Sequence, residues 1–279
     1  MLTLTKLILK AVKHNGFVSA LIYGEMGVGK TSYALHVGSE VYGWNRVLDY
    51  LYFKPQEAVK AMREALERGE RIPLIIMDDV GYWLGKLTWW EPQKVAFMDF
   101  YNLIRSVCAA VLFTCPTDEI PKTIRKKIFF RVAIIPLPRR EAEGIYASLP
   151  EERIREMLRE GINPKLWNVA RGYKLKTLPS FMQLVQAKFE DIYPLHYPKR
   201  ILEKYELKRR EAVKEALEKV EKAFRKASRP GKQQLISYAR KLLMEGYSRK
   251  QIVEKLMEAG VSKVTAYRYL KEAVSQGFS

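Results

Sequence analysis

Residues 17–32 read FVSALIYGEMGVGKTS, an apolar strand that runs straight into Gly24-Glu25-Met26-Gly27-Val28-Gly29-Lys30-Thr31-Ser32. No other stretch constrains the fold as much, because a Gly-x-x-x-x-Gly-Lys-Thr loop has to follow a strand and open a helix. Its glycines let successive backbone N–H groups turn toward the oxygens of a polyphosphate. The Lys30 ammonium then reaches the β- and γ-phosphates, and the Thr31 hydroxyl is placed to ligate Mg²⁺. Residues 32–42 form a plausible helix, so the required context is present. ATP or GTP is the expected ligand, held by residues 24–32.

A second motif lies at residues 73–80, PLIIMDDV, an apolar strand ending in two carboxylates. A carboxylate at a strand tip beside the phosphate loop can hold Mg²⁺. Asp78 is the candidate for that role, and Asp79 for polarising an attacking water. The next apolar strand, residues 109–113, ends at Thr114, where a polar side chain can sense a γ-phosphate or simply finish a strand. Further on come Arg125 and Arg131, the one just before and the other at the start of a strand at 130–136. Either arginine is a candidate to reach a neighbouring subunit's site, with Arg125 preferred.

Strands that are apolar throughout and alternate with helices predict a parallel sheet covered on both faces. The expected elements are a strand at 47–53 and a helix at 55–69, then the acidic strand and a helix at 92–107. The Thr114 strand follows, then a short helix at 118–127 and the strand 130–136. Beyond it, residues 150–160 predict a helix. The alternating stretches YKLKTL and MQLVQ within 166–185 predict a β-hairpin, and 193–198 an extended connector. The first 13 residues carry Lys6, Lys10 and Lys13 at helical spacing, predicting an amphipathic helix packed on the core rather than a signal peptide.

Charge points to a polyanionic partner. The 279 residues hold 49 Lys+Arg against 31 Asp+Glu, a formal net charge of +18. High charge with few Asn and Gln also fits a hyperthermophile, but thermophily does not explain an excess of one sign. Two cysteines, Cys108 and Cys115, and three scattered histidines do not form a structural zinc pattern. Buried thiols in a reducing cytoplasm are expected. No apolar run is long enough to span a bilayer.

Together GEMGVGKT, IIMDDVG, the Thr114 strand tip and the late arginine resemble the AAA+ ATPases. Within them, Asp-Asp-Val-Gly81 is similar to the helicase-loader and insertion-sequence ATP-binding branch. The resemblance covers about residues 17–136. The pattern YKLKTLP…FEDIYPLHYP…Y…R is similar to P-loop ATPases encoded by viruses and plasmids of hyperthermophilic archaea. The sequence departs from the family in two ways. Asp79 stands where motors more often carry Glu, and no helical lid with its own nucleotide-contacting arginine follows Pro136. The resemblance implies an α/β P-loop NTPase with a central parallel sheet flanked by helices, using ATP and Mg²⁺ and assembling as a homo-oligomer.

Between the acidic strand and the next helix, GYWLGKLTWWEP sets Tyr82, Trp83, Trp89 and Trp90 around Lys86. Such a cluster either packs against its own domain or a neighbouring subunit, or stacks on bases of single-stranded DNA.

Residues 248–273, SRKQIVEKLMEAGVSKVTAYRYLKEA, predict two short helices about a tight turn at Ala259-Gly260-Val261. Ser248 and Ser262 act as caps, and Ile252, Val253, Leu256, Val264 and Leu270 face inward. This resembles the helix-turn-helix of recombinases and repressors. The resemblance places Ser262, Lys263, Thr265, Tyr267 and Arg268 on a helix that enters the major groove, with Arg249 and Lys250 near phosphates. From residue 199 onward there are 21 basic and 10 acidic residues, so most of the surplus charge lies here.

The predicted organisation is therefore an ATPase domain at 1–195, a charged linker helix at 196–230 and an all-α helix-turn-helix domain at 231–279. The leading expectation is a cytoplasmic ATPase of a mobile element that assembles on or remodels double-stranded DNA, with a replication or packaging protein as a further partner. A packaging or transfer motor and an ATP-switched transcription regulator are the alternatives.

Overall fold

The computed structural model describes residues 1–81, 92–117, 122–174, 187–227 and 231–275. These fall into two compact units, Met1–Ala212 and Val213–Ser279. The first is an α/β unit built on a seven-stranded sheet in the order β2-β3-β4-β1-β5-β6-β7. Its strands are β1 (Val18–Tyr23), β2 (Leu51–Tyr52), β3 (Ile75–Met77), β4 (Ala110–Cys115), β5 (Phe130–Pro136), β6 (Trp167–Lys174) and β7 (Phe189–Pro194). The first five pair in parallel; β6 and β7 add on antiparallel beyond β5. The strand bearing Thr114 thus lies between the loop-bearing β1 and the acidic β3.

Alternation along the strands divides the core between the two sheet faces. On one face Ala20, Ile22, Ile76, Ala110 and Leu112 meet α1 (Thr3–Lys13) and α2 (Lys30–Tyr42). On the other, Leu21, Ile75, Met77, Val111 and Phe113 meet α3 (Pro55–Glu67) and α4 (Pro92–Phe100). Each large side chain so buried contributes about 1.5–3 kcal/mol. Short helices α5 (Lys122–Arg125), α6 (Arg139–Ser148) and α7 (Glu151–Arg159) follow. The unit ends in the first part of α8 (Lys199–Ala227), whose Ile201 and Tyr205 join the first core face. This half of the helix is therefore part of the α/β unit, not a linker. Helix α1 buries Leu4, Ile8 and Ala11 as its spacing predicts, and both cysteines are buried and free.

Several expectations about strands and helices need correction. Residues 47–50 form a 3₁₀ turn, leaving only Leu51 and Tyr52 in the strand. The Tyr42 hydroxyl donates to the Leu74 carbonyl (2.6 Å) and accepts the Leu74 N–H (2.7 Å), occupying backbone groups that a longer β2–β3 ladder would use. The acidic strand is regular only over Ile75–Met77, because Asp79 takes a left-handed φ of 51°. The helix begun at Pro92 ends at Phe100 and gives way to i→i+3 turns and a 3₁₀ segment, Ile104–Ser106, which return the chain to pair Cys108 with Ile72. On its other edge β6 pairs with β7, whose last residues, Tyr193 and Pro194, fall in the segment read as a connector. That strand turns Phe189, Asp191 and Tyr193 inward, and an inward aspartate masks the apolar alternation that marks a strand. The arm predicted at 182–186 and the aromatic cluster around Lys86 lie outside the described residues, as does the start of the helix predicted at 118.

The second unit contains α9 (Lys232–Met244), α10 (Arg249–Glu258) and α11 (Lys263–Ser275) around Leu235, Ile236, Leu242, Ile252, Leu256 and Leu270. Ser248 caps α10 in a capping box with Gln251, and Gly260 holds the turn at φ 90°. Val264 is corrected: it is 81% exposed, and Ala266 and Ala273 fill the inward positions with Leu270. No helix among the described residues is long and apolar enough to cross a membrane.

Candidate active site

The loop between β1 and α2 bends through three positive-φ glycines, Gly24 (153°), Gly27 (79°) and Gly29 (97°). Gly29 stands at the N-cap of α2, so the first-turn N–H groups, those of Lys30, Thr31 and Ser32, have no partner within the helix. A Cβ on Gly29 would lie 2.7 Å from Leu195 Cδ1 and 2.8 Å from Asn168 Nδ2. The left-handed turn and this close approach both require glycine. Glu25 and Met26 stand exposed at the loop tip, with Val28 half-buried behind them.

Lys30 is buried. Its Nζ donates to the carbonyls of Gly24 (3.0 Å) and Glu25 (2.7 Å), so the ammonium sits inside the curve of the loop. Burial pulls its pKa below the usual lysine value, and the negative charges of Asp79 and Asp78 oppose that shift.

Asp78 is fully buried at the tip of β3 and accepts three hydroxyl hydrogen bonds. Thr31 Oγ1 (2.9 Å) and Thr114 Oγ1 donate to Oδ1, and the Tyr205 hydroxyl donates to Oδ2 (2.8 Å). Burial, reinforced by the charge of Asp79, raises its pKa, while the hydrogen bonds favour the ionised form. The Asp79 N–H donates to Thr114 Oγ1 (2.9 Å), and Arg209 forms an ion pair with Asp79 Oδ2 at 3.1 Å. Thr114 is thus engaged by both acids; it positions them.

The antiparallel pair β6–β7 braces the loop. Asn168 Nδ2 donates to the Val28 carbonyl (2.6 Å), the Tyr193 hydroxyl donates to the Gly29 carbonyl (3.2 Å), and the Ser32 hydroxyl donates to the Leu195 carbonyl. Ser32 therefore faces the loop with its backbone N–H alone. Asp191 on β7 accepts from the Tyr33 hydroxyl (2.7 Å) and from the N–H groups of Thr3 (2.7 Å) and Leu4 (3.2 Å), joining α1 to α2.

The structure thus gathers Lys30, Thr31, Asp78, Asp79 and Thr114, which the sequence singled out, and adds Tyr205, Arg209, Asn168 and Tyr193, to which it gave no role in the site. The i, i+4 spacing of Tyr205 and Arg209 is the signal available in the sequence. Arg125 closes α5 half-buried, and Arg131 lies in β5 with its guanidinium 5.6 Å from the Tyr23 ring centroid. In the second unit Lys263, Tyr267 and Arg268 are exposed and Thr265 is half-buried. Ser262 Oγ accepts the Thr265 N–H (3.3 Å) as a cap, and Arg249 and Lys250 are exposed at the start of α10.

Fold and site together define an α/β protein whose glycine-bent loop and acidic strand tip form one hydrogen-bonded centre. No protein-family model matches the chain. It is 32% identical over 199 residues to protein B-251 of Sulfolobus spindle-shape virus 1, described as uncharacterized, covering 67% of this chain and 78% of that protein. The chain belongs to the family of that viral protein. It is also 26% identical over 119 residues to ORF286 of Acidianus two-tailed virus, likewise described as uncharacterized, covering 41% of this chain and 42% of the relative.

Proposed function

We propose that this protein is a P-loop, AAA+-type ATPase of a mobile genetic element that couples ATP binding and hydrolysis to assembly or remodelling on double-stranded DNA. The observation that carries the reading is the joining of Thr31, on the loop helix, to Asp78, on the acidic strand, by a 2.9 Å hydrogen bond, with Lys30 buried in the loop beside them. Placement of β4 between β1 and β3 supports it, since that order lets Thr114 reach both acids. The virus relatives support the mobile-element setting.

The residues fit the ligands the reading requires. Backbone N–H groups at the N-terminus of α2 suit phosphate oxygens. The hydroxyl of Thr31 and the carboxylate of Asp78 are hard oxygen donors suited to Mg²⁺, which when bound neutralises charge on the β- and γ-phosphates. Lys30 would exchange its loop carbonyls for phosphate oxygens. Asp79 would accept a hydrogen bond from the attacking water and orient it in line with the γ-phosphate. Arg125 or Arg131 would enter a neighbouring subunit's site in a homo-oligomer.

The three-helix second unit would act as a helix-turn-helix. Lys263, Thr265, Tyr267 and Arg268 would face the major groove, and Arg249 and Lys250 the phosphates. Such a protein would work in the cytoplasm of its host. Calorimetric titration with Mg-ATP tests the core of this reading: wild type should release heat with a saturating isotherm and Lys30→Ala none. A flat wild-type titration would refute it.

A further inference from the structure

We propose that Tyr205 and Arg209, one turn apart on α8, are positioning residues for Asp78 and Asp79, so that this turn of helix completes the hydrolytic site. The inference rests on the ATPase reading above. Residues at i and i+4 lie on one face of a helix, and here that face meets both acids at once. The Tyr205 ring is buried in the first core face, 5.8 Å from the Phe53 ring and 6.4 Å from the Tyr197 ring. A phenylalanine would pack there equally well, whereas a buried hydroxyl is costly unless bonded. The Tyr205 hydroxyl is bonded to Asp78 Oδ2, the oxygen that Thr31 and Thr114 leave open. With donors on both oxygens the carboxylate plane is fixed, and Oδ1 is held at the Thr31 hydroxyl.

Arg209 acts on the other acid. Its side chain is 52% exposed and that of Asp79 is 38% exposed. An ion pair so open to water contributes only about 0–1 kcal/mol to folding. Stability therefore does not account for the pair, but direction does. Asp79 holds a left-handed backbone, its N–H is tied to Thr114, and the guanidinium determines where its carboxylate points. Tyr205 thus serves the cation-holding acid, and Arg209 serves the water-orienting one.

The test uses the full chain as wild type, Tyr205→Phe, Arg209→Ala and Arg209→Lys, with Lys30→Ala as the inactive background. Three quantities are measured: steady-state ATP turnover, the Mg²⁺ dependence of binding of a fluorescent ADP analogue, and the thermal midpoint. Arg209→Ala should lower kcat about tenfold or more, the scale of a displaced general base, with KM and the thermal midpoint close to wild type. Arg209→Lys should recover part of that loss. Tyr205→Phe should raise the Mg²⁺ concentration for half-maximal analogue binding about tenfold, as expected when a group orienting a metal ligand is removed.

Wild-type kcat in Arg209→Ala, or a faster one, would overturn the role given to Arg209. Unchanged Mg²⁺ dependence in Tyr205→Phe would overturn that of Tyr205. Either result leaves the ATPase reading standing. Wild type no more active than Lys30→Ala would sink that reading, and this inference with it.

Discussion

Asn168 on β6 donates to the Val28 carbonyl across 2.6 Å, linking the antiparallel end of the sheet to a loop 140 residues earlier. With Tyr193 on Gly29 and Leu195 on Ser32, this contact makes the glycine-bent loop rest on strands outside the parallel core. The loop geometry therefore depends on β6 and β7 as much as on its own glycines.

Gly29→Ala should damage both. The residue holds φ 97°, and a Cβ would collide with Leu195 and Asn168. A loss of about 1–3 kcal/mol is expected from strain and displaced packing. Denaturant unfolding would show it as a lower midpoint at unchanged slope. A midpoint equal to wild type would mean the loop relaxes freely.

Asp79→Asn should separate binding from turnover. The amide keeps the size of the side chain but removes the charge that would draw a proton from water, so the rate should fall about a hundredfold or more. Nucleotide affinity should stay near wild type. Comparable turnover in a phosphate-release assay would give the water-orienting role to another residue.

Replacing Arg249 and Lys250 together by alanine should weaken binding to duplex DNA. Both are exposed, so the fold should tolerate the change. Each lost phosphate contact should reduce the slope of log affinity against log salt by about 1. An unchanged slope in fluorescence anisotropy would mean the second unit meets protein instead.

Acid should destabilise the first unit through His36. Burial pushes its imidazole down to about 4 from an ordinary 6.5, although the His196 carbonyl 3.1 Å from Nε2 favours the charged form. Below 6.5 the unfolded chain binds the proton that the folded one refuses. The stability conferred by neutral His36 is thus complete above 6.5 and lost as pH falls toward 4, by about 3 kcal/mol at most. His36→Phe should flatten the stability profile across that interval. Equal slopes in the two proteins would show that His36 titrates normally.

The sequence alone determined the parts whose cause is local. Glycines at 24, 27 and 29 dictate a turn, apolar runs dictate buried strands, and Ser248 dictates a cap, because a few neighbouring residues set each of these. It also named Lys30, Thr31, Asp78 and Asp79 from spacing. Only the tertiary structure decided what reaches them. Tyr205 and Arg209 lie 127 and 130 residues from the acids they bind, and on a long charged helix they look like ordinary surface residues. The second strand shrank because a Tyr42 hydroxyl took the backbone groups of Leu74, and an aspartate faces inward on β7 because two helices offer it donors. Such choices depend on which polar groups the folded chain leaves unpaired, and the order of residues does not carry that information.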